Sequence, residues 1–272
     1  MKERTAEALA NGYLKECRTI TLMRYGTFVV FLFLLLRLWS KLNLILSIAL
    51  VAVFYLALRF LRTMKAQQFS LLQAVLWEDC DAVKYTEVME RILPRSKQDT
   101  NYLNLCRIQG LCASGRFQEA SDALENVYIQ RADLSIRLLY VQLSFDCRLA
   151  LGDPEAARQS RQEAAQLMEQ SKPAQRPAIE KLLHVMDAAL ALAEHRWEDF
   201  CAQEERAQAE AANQLQLVAS AFRTGKADLA TGNHGGAREH LEDVAAEGGT
   251  LWAASEARRL LEELAPAPLP EA

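Results

Sequence analysis

The residues of this 272-residue chain that would make a reactive or metal-binding site are four histidines and six cysteines, and their spacing makes none. His234 and His240 stand six apart, across a turn and the helix that follows it, so they do not share a face. His184 and His195 belong to other segments, no HExxH occurs, and AREHLED lacks a second histidine at metal spacing. Cys17, Cys80, Cys106, Cys112, Cys147 and Cys201 include no CxxC pair. Cys106 and Cys112 share one helix but point about 240° apart, which suits neither a disulfide nor a joint metal site. Free thiols in a reducing compartment are expected. Glu-rich runs such as EERAQAE read as solvated helix faces rather than an acid/base pair. GxxxxGK[ST], GxGxxG and GxSxG are absent, and GNHGG falls between helices rather than after a strand. The expectation is a protein without catalysis, cofactor or metal.

The elements that carry these residues are helical. Glycine (11) and proline (7) are sparse, and Ala, Leu, Glu, Gln and Arg dominate from about residue 63 onward. The charge is divided: residues 1–62 hold nine Lys/Arg against three Asp/Glu, and residues 63–272 hold 22 against 32. An acidic second part repels phosphate, which speaks against nucleic acid as a partner. A basic first part beside apolar sequence points to a lipid bilayer instead.

Two stretches, YGTFVVFLFLLL (25–36) and LNLILSIALVAVFYLAL (42–58), carry no charge. As one straight helix they would be about 51 Å long, against a hydrocarbon layer of about 30 Å. Two spans joined by a tight turn near Trp39, Ser40 and Lys41 fit better. The first span, Ile20 to Trp39, is long enough if Arg24 and Arg37 reach toward opposite interfaces. One span plus an interfacial helix is the alternative. A cleaved leader fits poorly, because no small-x-small site follows and a second apolar run comes at once. Lys2, Arg4, Lys15, Arg18 and Arg24 before the first span, with Arg59, Arg62 and Lys65 after the second, outnumber Arg37 and Lys41 in the turn. The expectation is a multi-pass cell-membrane protein of two spans with both termini cytoplasmic.

LCASGRFQEASDAL (111–124) supplies a template: Gly115, Phe117, Ala120, Leu124. Gly152 with Pro154 and Ala157 repeats it, as do Trp197 after His195, and Gly232 with Ala237 and Leu241. Cys80, Tyr85 and Met89 fit loosely upstream. Each unit is a helix, a short turn and a second helix, turning at 80, 115, 152, 195 and 232. The chain from about 66 to 264 resembles the tetratricopeptide repeat, whose period is about 34 residues. Ile108 and Phe145 stand where that family prefers a small residue, and the two prolines of SKPAQRPAIE mark a loop or a break in stacking. LWAASEARRLLEEL suits a capping helix, and APAPLPEA a disordered tail.

The expected architecture is all-α: a basic segment (1–19), a transmembrane hairpin (20–62), an α-solenoid of about five helix pairs with a capping helix (63–264), and a tail (265–272). The resemblance implies a concave surface lined by first helices, on which Tyr102, Leu105, Gln109, Gln142, Asp146, Phe222 and Lys226 are the candidates. Where family members clamp a peptide's carboxylate with Lys and Asn, this chain has Leu105 and Gln109, so that activity is not implied. The expected function is a non-enzymatic membrane adaptor for an unidentified protein or peptide; the alternative is a structural or regulatory subunit of a larger membrane complex.

Overall fold

A computed structural model describes residues 4–38, 44–96, 100–130 and 132–264. The expected turn at Trp39–Lys41 and the tail from 265 lie outside these. The chain is all-α, with twelve α-helices among the described residues. They are α1 (Ala6–Leu38), α2 (Leu44–Trp77), α3 (Ala82–Ile92), α4 (Thr100–Ala113), α5 (Phe117–Leu124) and α6 (Leu134–Ala150). Then come α7 (Pro154–Glu169), α8 (Arg176–Ala193), α9 (Trp197–Ala209), α10 (Gln214–Thr231), α11 (His234–Glu247) and α12 (Trp252–Leu264). Contacts divide the chain into an N-terminal unit up to Ala74 and a C-terminal unit from Val75.

In the N-terminal unit α1 and α2 extend well past the uncharged stretches, to 33 and 34 residues. Phe31 stacks on Phe54 with ring centroids 4.2 Å apart, and Tyr13 meets Phe69 edge-on at 6.0 Å. Ile20, Leu61 and Leu72 are buried, while Phe28, Phe33, Leu36, Ile45, Val53, Tyr55 and Phe60 are exposed. Only 6% of each helix's most apolar window is buried. Apolar side chains that face outward along a whole helix are stable in lipid and costly in water.

In the C-terminal unit the helices pack in sequence: α4 on α5, α6 on α7, α8 on α9, α10 on α11, with α12 against α11. First helices also touch the next first helix, from α4 to α6, α8, α10 and α12. The reversals fall where the template put them. Gly115, Gly152 and Gly232 have φ near +80°, and Cys80 and His195 are the non-glycine residues at positive φ among those described. At Gly115 the next amide, Arg116 N, donates to Leu111 O at 2.9 Å, and Gly115 N donates to Cys112 O at 3.0 Å. The same pair of bonds closes α6 at Gly152, α8 at His195 and α10 at Gly232, capping carbonyls that the helix end leaves open. Cys80 makes a wider turn, with Asp81 N donating to Val75 O. The following residue caps the next helix: Asp81, Asp153 and Asn233 each accept from an amide three residues on.

Ala120, Ala157 and Ala237 are fully buried, as the close approach of paired helices requires. Four residues further on, Leu124 and Leu241 fill their units, but α7 and α9 carry Arg161 and Glu204 there. Each reaches the next first helix as a bidentate ion pair. Arg161 donates to Asp187 of α8 at 2.8 Å through two nitrogens, and Glu204 accepts from Arg223 of α10 at 2.6 and 2.8 Å. Ile108 and Phe145 are core residues, and a small residue serves elsewhere: a Cβ on Gly110 would lie 2.4 Å from Thr86 Oγ1 of α3. The prolines of SKPAQRPAIE make a 3-10 turn (Pro173–Gln175) and the first turn of α8, which still packs on α6 and α7. The loop is there and the stacking continues through it.

Two glycines separate backbone strain from crowding. Gly152 has open space around it, so Gly152→Ala should destabilise by about 1 kcal/mol from its left-handed backbone alone. A Cβ on Gly115 would come 2.5 Å from Trp252 Cδ1, so Gly115→Ala should cost clearly more. Denaturant titration of the two variants checks the order.

Candidate functional site

First helices stand side by side in the C-terminal unit, and the seven candidates lie on three of them, α4, α6 and α10. Leu105 is fully buried in the core between α4, α5 and α6. Tyr102 is half-buried and belongs with Tyr85 and Cys106, whose thiol is pushed up to about 11 by burial. Gln109 and Gln142 are half-buried, and Lys226 is exposed. Phe222 is buried, with the Lys226 ammonium 5.7 Å from its ring centroid and Trp252 of α12 edge-on at 5.4 Å. The structure therefore brings Phe222 and Lys226 together, while Tyr102 sits in a separate cluster.

Trp252 also meets Phe117 edge-on at 5.3 Å, at the start of α5. Beside it, Thr250 N donates to Cys80 O at 3.1 Å and Thr250 Oγ1 donates to Asp81 Oδ1 at 3.0 Å. Val83 N donates to Thr250 Oγ1 at 3.2 Å. The loop before α12 thus docks on the first two reversals of the unit, so the last helix closes the array as well as capping it. Nothing in the local sequence of α12 announces this, because the partners lie about 170 positions away.

Asp146 of α6 is a perturbed carboxyl. It keeps some solvent access, yet enough protein surrounds the carboxyl that desolvation outweighs the attraction of Arg223 and raises it from 3.8 to about 7.

One contact escaped the spacing of the cysteines within single helices. Cys112 of α4 and Cys147 of α6 touch with Sγ atoms 3.4 Å apart, both buried. They stand near corresponding ends of successive first helices, a signal that the repeat register carries. The contact with Cys147, then burial, push the Cys112 thiol well up, which keeps it protonated and unreactive. Among the described residues no three His, Cys, Asp or Glu side chains are grouped to hold a metal ion.

Comparison of the chain with protein-family models, with curated proteins and with solved structures finds no match.

Two measurements test these placements. Asp146 is charged in the unfolded chain from about pH 4 upward but stays protonated in the fold until about 7. The native state then holds the extra proton between these values, so its contribution is full below the lower value and is lost as pH rises through the upper one. Asp146→Asn should therefore stabilise the C-terminal unit at pH 8, by about 1–3 kcal/mol after allowing for solvent access, with the gain fading by pH 5. Denaturation of the full chain in micelles across this range reads it. Separately, Cys201 is exposed while Cys80, Cys106, Cys112 and Cys147 are buried. A maleimide at pH 7 should modify Cys201 in the folded chain and those four only in denaturant, as peptide mapping would show.

Proposed function

We propose that this protein is a membrane-anchored, tetratricopeptide-like adaptor that holds a partner protein or peptide at the cytoplasmic face of the cell membrane, without catalysis of its own. The observation that carries this reading is the outward-facing apolar surface of α1 and α2 in a chain that continues into an acidic array of helix pairs. The five reversals at near-constant intervals support the repeat assignment. Basic residues flanking the apolar stretches support two spans with both termini in the cytoplasm. Anchoring confines the array to a thin layer and raises its effective concentration toward other membrane-bound molecules.

The inner face supplies the recognition surface in this reading. Lys226 is exposed there, Gln109 and Gln142 are half-buried, and the inward side chains of Phe222 and Trp252 are engaged with each other. A partner would be met by polar and cationic groups, which give specificity and association rate more than raw affinity. The second reading is a structural or regulatory subunit whose hairpin packs against other spans.

The two readings separate in a crosslinking pull-down from solubilised membranes. Gln109→Ala, Gln142→Ala and Lys226→Ala together should leave the melting temperature nearly unchanged and weaken partner recovery at least about fivefold, the loss of about 1 kcal/mol of binding. A control altered on the exposed face of α7, α9 and α11 should recover partner normally. Equal recovery from both variants would discard the inner face and leave the hairpin as the partner-binding element.

A further inference from the structure

The ring contacts of the hairpin fix the register of α1 against α2. Tyr13 pairs with Phe69 and Phe28 with Phe54, and in both cases the residue numbers total 82. Phe31, one turn beyond Phe28, stacks on the same Phe54, and buried Ile20 and Leu61 fall within one residue of this register. Arg24 is then level with Leu58, beside Arg59; Arg62 is level with Ile20; and Lys65 is level with Cys17, beside Arg18. Residues 18–24 of α1 and 59–65 of α2 each cover about 9 Å along the axis. Two helices thus place five cations in one band.

Arg18, Arg24, Arg59 and Arg62 are exposed and have no ion-pair or hydrogen-bond partner among the described residues. Glu16, one turn or less from the band, is the carboxylate nearest to it in sequence, and α2 has none between Leu44 and Trp77. The pairing that relieves Arg161 and Arg223 in the C-terminal unit is absent here. Four guanidinium groups without a partner among the described residues, set beside apolar surface, are open to counter-charges from outside the chain.

The length of the apolar segment says at what depth the band lies. From Arg24 to Arg37 the helix rises about 20 Å, and from Leu44 to Arg59 about 22 Å. Both fall short of the hydrocarbon layer of about 30 Å, so the cations at the ends must reach outward to the headgroups, or the bilayer must thin to meet them. Either adjustment sets the band at phosphate level, and its height of about 9 Å is close to that of one headgroup layer, about 5–8 Å. Guanidinium suits this place because its planar fork binds phosphate oxygens bidentately and is weakly hydrated.

We propose that Arg18, Arg24, Arg59 and Arg62 form a binding collar for the phosphate groups of anionic phospholipids, in the leaflet where α1 enters and α2 leaves the bilayer. The collar rests on the membrane-anchor reading above, and it adds a lipid class to it. Four cations near the surface act together, so anionic lipid should be enriched well above its bulk fraction, and high salt should weaken the effect.

The test uses the full chain reconstituted into vesicles of phosphatidylcholine alone or mixed equally with phosphatidylglycerol. Flotation on a density gradient reports insertion, and native mass spectrometry after mild detergent release reports the lipids retained. Wild type should float with both vesicles and retain phosphatidylglycerol over phosphatidylcholine by about tenfold or more. Arg18→Gln, Arg24→Gln, Arg59→Gln and Arg62→Gln together should still float but lose the preference. The four Arg→Lys changes should keep part of it. Should the glutamine variant lose helicity by circular dichroism, wild type alone decides, since its preference must fall between 0.1 and 1 M salt, where the screening length drops from about 10 to about 3 Å. Equal retention of the two lipids by wild type, or a preference indifferent to salt and to the substitutions, overturns the collar. Failure of wild type to float with either vesicle overturns the membrane anchor itself.

Discussion

The reversal inside each helix pair of the C-terminal unit passes through one residue held at positive φ, and the close packing of the paired helices depends on it. A helix that ends on such a residue can cap its own last carbonyls and send the chain back along its flank. Gly115, Gly152 and Gly232 do so without a Cβ to clash, while Cys80 and His195 tolerate the same region at a cost. The helix that follows then lies close enough for Ala120, Ala157 and Ala237 to lose all contact with water. A hairpin of this size has too little interior to be stable alone, so its outer stripe must be covered by the next hairpin.

How neighbouring hairpins are held together varies along the array. At the ends, Leu124 and Leu241 do it by filling space. In the middle, Arg161–Asp187 and Glu204–Arg223 do it with paired charges. Such pairs add little net stability over a well-packed hydrophobe, because desolvation offsets the attraction. They do demand one geometry, since a shifted register would strand Glu204, which is buried. The closure by Thr250 and Trp252 adds a long-range constraint that open repeat arrays lack, joining the ends of the unit. The residues gathered near that closure, Phe222 and Lys226, are held by it.

The two units suit different solvents. Along α1 and α2 apolar side chains face outward, an arrangement that lipid stabilises and water does not. Beyond Val75 the pattern inverts, with apolar residues inside and an excess of acidic residues on the surface. The net charge of −4 conceals this division, and the halves matter more than the sum.

Local signals determined the elements. The uncharged stretches marked α1 and α2, and the glycine–aromatic–alanine template marked all five reversals, even where Cys80 and His195 stand in for glycine. These were legible because helix formation, capping and turn conformation depend on residues within a few positions of each other. The Asp81, Asp153 and Asn233 caps were equally local, and follow each reversal directly. Only the tertiary structure decided that Leu105 is core, that Phe222 lies beneath Trp252, that Cys112 touches Cys147 and that Asp146 holds its proton to about 7. Burial, desolvation and contact between first helices depend on how sharply the array curves. That curvature accumulates over every interface from α3 to α12, and no single stretch of sequence encodes it.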